Sequence, residues 1–468
     1  MVTSVVSSGV TSSGVIVGSG VTLEIQSGGT ANATTVTSSG IQQVDFGGSA
    51  SGAVISTGGF EVVSGSDTGA TILSGGSATI SSGGIATGTI ISSGGQVTVL
   101  TGGQALSAQV SGGTSGSFNL VVSGGTTVSA TVVSGGREAV FSGGVTTATF
   151  VSATGFTANT SAVESVAAGG TASGTILSGT GKLIVSAGGS AVGASATSTS
   201  FGSGSNGGVT LSGGTATGTV LNNSGTEFVS SGGVESGGIV SAGGKLFVSS
   251  GGTTISETVL GVSGGLRGSA SVVLGGVASG TLVSGTGQLN ISSGGSAVGA
   301  SATSTFFGAG NNGGVFVSAG GTATGTVIGN SGFEIVFSGG TESNGIVSAG
   351  GNLTLSGGRT ISETVLGASG GLHGQEIVSS GGTASNTLVS SGGQLIVSSG
   401  GVASSATLVA NGNSSGAGGM FVSSGGTATG TTITAAATSR SSPAATTAEQ
   451  RSSPAERSSS ARAAARQP

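Results

Sequence analysis

The chain has 468 residues, of which 102 are glycine, one is histidine and none is cysteine, tryptophan or tyrosine; charged residues make up 5% and the formal net charge is −5. A globular enzyme would carry about 25% charged residues, so few side chains here could titrate, bind a metal or act as a nucleophile. We therefore expect no catalytic, cofactor-binding or metal-binding residues and no cofactor. Without a basic stripe that carries interleaved aromatic residues, nucleic-acid binding is also not expected.

The first twenty residues, MVTSVVSSGVTSSGVIVGSG, already follow the pattern of the rest of the chain. They contain neither a basic n-region nor a compact apolar segment, so they do not resemble a signal peptide. Further along, residues 268–333 carry no charge, but Gly, Ser and Thr interrupt them every few residues. A bilayer helix needs about 20 predominantly apolar residues, and we expect no membrane span in this chain.

Gly-Gly pairs set a regular period along the chain. Pairs that begin at positions 75, 83, 94 and 102 are spaced by 8, 11 and 8 residues, so that one unit of 19 residues holds two short apolar segments and two turns. In QLIVS at 394–398, Leu395 and Val397 alternate with other residues, which places them on one face of a strand. In TIISS at 89–93, the two adjacent isoleucines leave open which one points inward.

This pattern predicts an all-β fold, a parallel β-solenoid with about 19 residues per coil over residues 1–434. Identical segments then stack in register, and glycine supplies the positive φ that the corners require. One coil buries too few aliphatic side chains to be stable alone, so each coil depends on its neighbours. An antiparallel hairpin meander and a flexible Gly/Ser linker are the alternatives, and fixed distances between the aliphatic residues and Gly-Gly argue against the linker.

A long duplication lies over the short period. Residues 178–283, which begin SGTGKLIVSAGG, recur at 284–389 as SGTGQLNISSGG, and two one-residue slips between the copies fall just before Gly-Gly. A turn can absorb such a slip, whereas a slip inside a strand would turn its side chains to the other face. Glu257 matches Glu363, and Arg267 matches His373. We interpret these pairs as the solvated edge of a duplicated coil, not as catalytic groups.

The tetrapeptide SSGG is the most frequent hydroxyl-bearing motif. Its second serine has two interpretations: the hydroxyl caps its own turn by bonding nearby backbone groups, or it belongs to an exposed column available for modification or for contact with another surface. The serines concerned are Ser82, Ser93, Ser231, Ser250, Ser293, Ser380, Ser391, Ser399 and Ser424.

The composition changes after about residue 434. Residues 435–468 hold all three prolines and half of the basic residues, and they end in RSSPAERSSSARAAARQP. Such a segment predicts a disordered tail, or translation out of frame from about residue 435 onward.

The phrase T-x-[VIL]-[VIL]-S-S-G-G-x-[VIL]-x-V-S-S-G-G resembles the 19-residue passenger repeat of AIDA-type autotransporter adhesins over about residues 1–434. The resemblance implies a right-handed β-helix displayed on the cell surface outside the outer membrane, which acts in adhesion, autoaggregation and biofilm formation. It implies self-association with like rods and binding to a host or neighbouring cell surface. It also implies a heptosyltransferase as a partner, with the SSGG serines as candidate O-glycosylation sites.

The sequence departs from that family in lacking a secretion signal and a C-terminal translocator, so we expect a passenger fragment or a truncated product. Two other functions stay open. TATGT at 215–219, 322–326 and 427–431 suggests a threonine face that binds ice or another ordered lattice. A carbohydrate-active β-helix enzyme would require acidic residues that converge in space, and the acids here are scattered along the chain.

Overall fold

The chain forms a parallel β-solenoid, which confirms the predicted fold class. A computed structural model describes residues 2–112, 117–153, 161–199, 207–261, 265–305, 313–368, 372–390, 392–409, 418–434 and 439–451. Contacts divide the chain into unit 1, Met1–Ser236, and unit 2, Gly237–Pro468. In each unit a coil contributes one strand to a long-strand sheet and two strands to a short-strand sheet, whose two columns of strands we call the first and second columns.

Successive coils pair in parallel, as the stacking of identical segments predicts and a hairpin meander does not. Ile41 pairs with Thr22 and with Phe60 in the long-strand sheet, so that one position lies above the same position of the next coil. In the first column, Ser49 pairs with Thr30 and Ser66. Each strand therefore hydrogen-bonds to the strand one repeat before it and to the strand one repeat after it.

The strands of unit 1 fall into these three sets. The long-strand sheet contains Val2–Val6, Val21–Ile25, Ile41–Val44, Phe60–Val63, Ser77–Ile80, Gln96–Leu100, Leu120–Ser123, Arg137–Phe141, Val163–Val166, Lys182–Ser186, Gly208–Ser212 and Thr226–Ser230. The first column contains Thr11–Ser13, Thr30–Asn32, Ser49–Ser51, Ser66–Thr68, Ile85–Thr87, Gln104–Leu106, Thr126–Val128, Val145–Thr147, Thr171–Ser173, Ser190–Val192, Thr215–Thr217 and Val234–Ser236. The second column contains Ile16–Val17, Thr35–Val36, Val54–Ile55, Thr71–Ile72, Ile90–Ile91, Gln109–Ser111, Thr131–Val133, Phe150–Ala153, Ile176–Gly179, Ser195–Thr199 and Val220–Asn222.

The strands of unit 2 repeat the arrangement. The long-strand sheet contains Lys245–Val248, Ser269–Val272, Gln288–Ile291, Gly314–Val317, Phe333–Phe337, Asn352–Ser356, Gln375–Val378, Gln394–Val397, Gly419–Val422 and Ser439–Ser441. The first column contains Thr253–Ile255, Val277–Ser279, Ser296–Val298, Thr322–Thr324, Thr341–Ser343, Arg359–Ile361, Thr383–Ser385 and Val402–Ser404. The second column contains Ile239–Val240, Thr258–Leu260, Leu282–Gly285, Ser301–Thr305, Val327–Gly329, Ile346–Val347, Thr364–Leu366, Leu388–Ser390 and Thr407–Leu408, and the longer strands Thr427–Ile433 and Thr446–Arg451 run through both columns.

The core is built from alternate residues of the long strands and from single residues of the short ones. Leu395 and Val397 are both buried, as their spacing predicts. In the second column Ile91 is buried while Ile90 is exposed, which settles the question that two adjacent aliphatics left open. Each buried aliphatic side chain contributes about 1.5–3 kcal/mol, so the stability of a coil comes from a few residues and from its hydrogen bonds to both neighbours.

A coil has three corners, one more than Gly-Gly pairs indicate. The second predicted segment is two short strands with a bend between them, as in Thr383–Ser385 and Leu388–Ser390. The bend is formed by one residue with positive φ, such as Asn386 at 59° or Gly88 at 66°. Because Ser and Asn also occupy this left-handed conformation here, the third corner has no constant sequence signature.

The acidic residues correct one interpretation made from sequence. Glu257 and Glu363 are buried in the solenoid interior and do not form a solvated edge. Both lie directly before a second-column strand, at an inward position that Thr281 and Thr387 occupy in other coils. Of the acidic residues before position 435, all of which are described, every one except Glu24 and Asp45 is buried.

Part of the predicted tail continues the solenoid. Ser439–Ser441 pairs with Gly419–Val422, and Thr446–Arg451 pairs with Thr427–Ile433. Residues 435–438 and 452–468 lie outside the described residues, and their disorder stays a prediction. The described part of the chain has no helix of the length and apolar character needed to cross a membrane.

Candidate functional site

The predicted serines gather mainly at one corner of the coil. Ser82 and Ser231 of unit 1 follow a long strand, at the corner that leads to the first column. The serines at the same corner in unit 2 are Ser250, Ser293, Ser380, Ser399 and Ser424. Ser93 lies at a different corner, after the second column, and Ser391 lies outside the described residues.

The hydroxyl groups of these serines face solvent. All eight described serines are exposed, and none of their hydroxyls bonds to another described residue. Backbone groups hold the corner instead: the N–H of Ser293 donates to the carbonyl oxygen of Ala319 at 2.9 Å, and the N–H of Gly294 donates to that of Gly320 at 2.8 Å. The geometry therefore leaves the second serine of SSGG without a capping role in the described residues.

The outer surface of the short-strand sheet is the second candidate. Its outward positions are the first and third residues of each first-column strand and the first residue of each second-column strand, for example Val145, Thr147 and Phe150 in one coil. In the described part of unit 1, none of these outward positions carries a charge. We call this surface the uncharged face.

Unit 2 carries a similar face. Aliphatic and hydroxyl-bearing side chains share one of its columns, in the register Ile239, Thr258, Leu282, Ser301, Val327 and Ile346. Arg359 is the only charged residue at an outward position of the short-strand sheet among the described residues from 237 to 434, and it is exposed. The long-strand sheet does carry charge in each unit: Lys182 is the first residue of a long strand in unit 1, and Lys245 is the first residue of one in unit 2.

The repeated TATGT phrase places threonine on the uncharged face, but not in an unbroken column. Thr215 and Thr217 point outward from their strand while Ala216 is buried between them. The residues stacked on Thr217 are Val192 and Ser236. A lattice-binding face requires the same hydroxyl spacing in coil after coil, which this register does not provide.

The interior of unit 1 holds a polar network that the sequence analysis missed. Glu164 accepts hydrogen bonds from the hydroxyls of Thr146 at 2.6 Å and Thr175 at 2.7 Å, and all three side chains are buried. Glu61 likewise accepts a bond from Gln42 Nε2 at 2.8 Å. A sequence signal does exist for Glu164, because it occupies an alternate inward position of its strand and Thr175 follows 11 residues later; Ile72 stands at the equivalent place after Glu61.

Burial governs the electrostatics of these carboxyl groups. It raises the pKa of Glu138 well above the usual range, and the neighbouring Glu164 carboxylate raises it further. It also raises the pKa of Asp67 and of Glu235 to about 7. Among the described residues, no three His, Cys, Asp or Glu side chains are arranged to hold a metal ion.

Arg267 and His373, which match in the duplication, also occupy equivalent places in the structure. Arg267 forms an isolated bridge with Gly261, and His373 forms one with Gly367. His373 Nδ1 lies 2.5 Å from the carbonyl oxygen of Gly392. The histidine therefore contacts the backbone of the next coil.

No family model and no curated protein matches this chain. Among the solved structures that match is a crystal structure of a TibC-catalysed, hyper-glycosylated fragment of TibA, residues 55–350. It is 22% identical to this chain, and the match covers 94% of this chain and 99% of the fragment with a TM-score of 0.31. A likeness at this level supports no conclusion about what the present chain does.

Proposed function

We propose that this chain is a passenger region of a cell-surface or secreted adhesin that mediates bacterial adhesion, autoaggregation and biofilm formation. The uncharged face is the observation that carries the proposal. Two such faces can meet without burying an unpaired charge, which would cost several kcal/mol per ion. Contacts repeated in every coil then add up, so that many weak interactions replace one strong site.

The resemblance of the repeats to those of autotransporter adhesins supports the same function. The exposed serine corner adds a candidate modification surface, with a heptosyltransferase as the partner that would act on it. A carbohydrate added at these serines would project from a corner next to the uncharged face, without displacing any hydrogen bond among the described residues.

Self-association of the purified chain tests the proposal. Thr131, Phe150 and Ile176 stack on one another in the second column of unit 1 and face outward. Replacing all three with lysine places three positive charges in one column of the uncharged face. We expect the dissociation constant for self-association, measured by analytical ultracentrifugation, to rise at least about tenfold, because charge at the centre of such a contact is costly to desolvate.

A matched control places the same charges on the other sheet. Ser165, Ile184 and Thr210 are stacked and face outward in the long-strand sheet, and their triple lysine variant should associate as the unaltered chain does. Equal loss in both variants, or no loss in either, would contradict the proposal. Thermal hysteresis in a chain that does not self-associate would favour the lattice-binding alternative.

A further inference from the structure

Four glutamates of unit 2 face one another inside the solenoid. Glu334 and Glu376 point inward from the long-strand sheet, in register with Leu353 between them. Glu342 points inward from the first column, and Glu363 points inward from the corner between the two columns. All four side chains are 0% exposed.

Five of the eight carboxyl oxygens in this cluster lack hydrogen-bond partners among the described residues, while Glu342 Oε1 accepts a bond from the N–H of Thr326 at 3.1 Å. Neither oxygen of Glu334 has a hydrogen-bond partner among the described residues, and Glu342 Oε2 has none either. The N–H groups of Gly345 and Ile361 lie near the Glu363 carboxylate and partly offset the rise in its pKa, but neither forms a hydrogen bond of good geometry. Unpartnered buried carboxylates are costly when ionised.

Gly345 creates the space that Glu342 and Glu363 share. A Cβ at this position would overlap Glu363 Oε2 and would lie 2.9 Å from Glu342 Oε1. At the same position the preceding coil has Thr326, the following coil has Glu363 itself, and the coil after that has Thr387. Because Gly345 has no side chain, the carboxyl groups of Glu342 and Glu363, which belong to adjacent coils, can approach each other.

Glu376, in the same interior, has a hydrogen-bond partner for each of its carboxyl oxygens. It accepts hydrogen bonds from the hydroxyls of Thr360 at 2.6 Å and Thr387 at 2.9 Å. Glu334 has no such threonine, since its neighbours on the facing elements are the carboxyls of Glu342 and Glu363. The unpartnered carboxyl group of Glu334 is thus acted on by other carboxyl groups.

No positive group faces the cluster in the described part of unit 2. The charged groups that act on Glu334 and Glu363 are carboxyls of the same cluster, and Arg359 lies on the outer side of its strand. The described carboxyls are not arranged to hold a metal ion. Protons are the remaining means of neutralising these groups.

We propose that this cluster is a proton-operated switch, which keeps the coils of residues 333–378 closed while its carboxyl groups are protonated and loosens them when the protons leave. A protonated carboxyl also gains an O–H donor, so that neighbouring carboxyls can hydrogen-bond to one another. Ionised, the same groups repel one another in an interior from which water is excluded.

The direction of the pH effect follows from burial. Burial, with repulsion from neighbouring carboxylates, raises the pKa of Glu363 to about 9, and burial raises that of Glu342 to about 7. The unfolded chain loses these protons near pH 4.5, so the folded state holds more protons between pH 4.5 and 9. The stabilisation is complete below pH 4.5 and is lost as the pH rises through 7 to 9.

Hydrogen exchange of the intact chain at pH 5, 7 and 9 tests the switch, after correction for the intrinsic pH dependence of exchange. We expect protection of residues 333–378 to fall at least about a hundredfold from pH 5 to pH 9, since each linked proton changes an opening equilibrium about tenfold per pH unit. Residues 269–303 of the same unit contain no acidic residue and should change much less.

A double variant replaces two of the four glutamates, the two with no partnered oxygen, by residues that the solenoid itself uses. The variant is Glu334→Leu/Glu363→Thr. Leucine already occupies the position of Glu334 in the next coil, at Leu353, and threonine already occupies the position of Glu363 in the next coil, at Thr387, so both new side chains have a size that this interior accommodates. Its protection should depend on pH much less than that of the unaltered chain, since only Glu342 and Glu376 remain, whereas Glu24→Gln, which alters an outward-facing carboxyl, should keep the full pH dependence.

Three outcomes overturn the switch. The first is equal protection of residues 333–378 at pH 5 and pH 9 in the unaltered chain. The second is a pH dependence of undiminished size in the double variant. The third is restored protection at pH 9 on adding calcium chloride, since the cluster would then be a cation site. These outcomes are independent of whether the chain self-associates, so they do not bear on the proposed adhesin function.

Discussion

The two serines of the SSGG phrase at 81–84 differ in what their hydroxyl groups contact. Ser81 donates a hydrogen bond to the carbonyl oxygen of Val63 at 3.2 Å, and its Oγ lies 2.8 Å from that of Ser64. Ser82 is exposed, and its hydroxyl bonds to no described residue. The first serine therefore ties one coil to the coil before it, while the second is free to be modified or to contact another surface.

This difference predicts unequal effects of alanine substitution. Ser81→Ala should lower the free energy of unfolding by about 1 kcal/mol, because it removes a partly buried hydrogen bond. Ser82→Ala should change it by less than about 0.5 kcal/mol, as is usual for exposed positions. Denaturant unfolding monitored by circular dichroism measures both. A larger effect at Ser82 than at Ser81 would restore the turn-capping interpretation.

Inward-facing residues show where prediction from sequence succeeds and where it stops. Alternation placed Leu395 and Val397 on one face, and both are buried. Glu376 pairs directly with Leu395 and is buried as well, but a glutamate is almost never fully buried unless it is paired. Its burial depends on Thr360 and Thr387, which become its neighbours only once the coils are stacked in register.

At the scale of the element, the two glycines of a Gly-Gly corner meet different requirements. Gly83 has a positive φ of 82°, a conformation that side chains with a Cβ resist. Gly84 has an ordinary φ, but a Cβ there would overlap the carbonyl oxygen of Val63 in the preceding coil. The second glycine is thus required by the close approach of two backbones.

Alanine substitutions at Gly88 and Gly84 separate the cost of left-handed backbone strain from the cost of steric overlap. Gly88→Ala adds a methyl group at a φ of 66° with no atom within 4 Å, so it should cost about 1–2 kcal/mol of left-handed strain alone. Gly84→Ala causes no such strain but must push two coils apart, and we expect a clearly larger loss of stability, visible as a lower thermal midpoint. The idea fails if both variants melt at the same temperature.

The corners also show how far the repeat could be predicted. Both slips in the long duplication fall at the corner after a long strand, where Gly213 and Gly357 form isolated bridges with Ser186 and Phe337. The strands keep their register there, as the position of the slips predicts. The third corner escaped prediction because its positive φ is carried by Gly88 in one coil and by Asn386 in another.

Over the whole molecule, the solenoid reverses the usual placement of charge. Most of its carboxyl groups lie inside, next to threonine hydroxyls or to one another, while the outer face of the short strands is almost free of charge. An uncharged exterior favours contact with a second surface, and the buried acids make the stability of the chain depend on pH. The formal charge of −5 therefore overstates the negative charge of the folded state at neutral pH.

Unfolding should consequently release protons at pH 6. Burial raises the pKa of Asp67, Glu235 and Glu342 to about 7 and that of Glu363 to about 9, while the unfolded chain ionises its acids near pH 4. Stability should therefore fall as the pH rises from about 4.5 to 9, opposite to proteins whose carboxylates are ionised and paired. Calorimetric unfolding in buffers of different ionisation enthalpy measures the release, and we expect several protons per chain.

The Glu334→Leu/Glu363→Thr variant should release fewer protons than the unaltered chain. Absence of proton release on unfolding at pH 6 would show that the buried carboxyl groups are already ionised in the folded state.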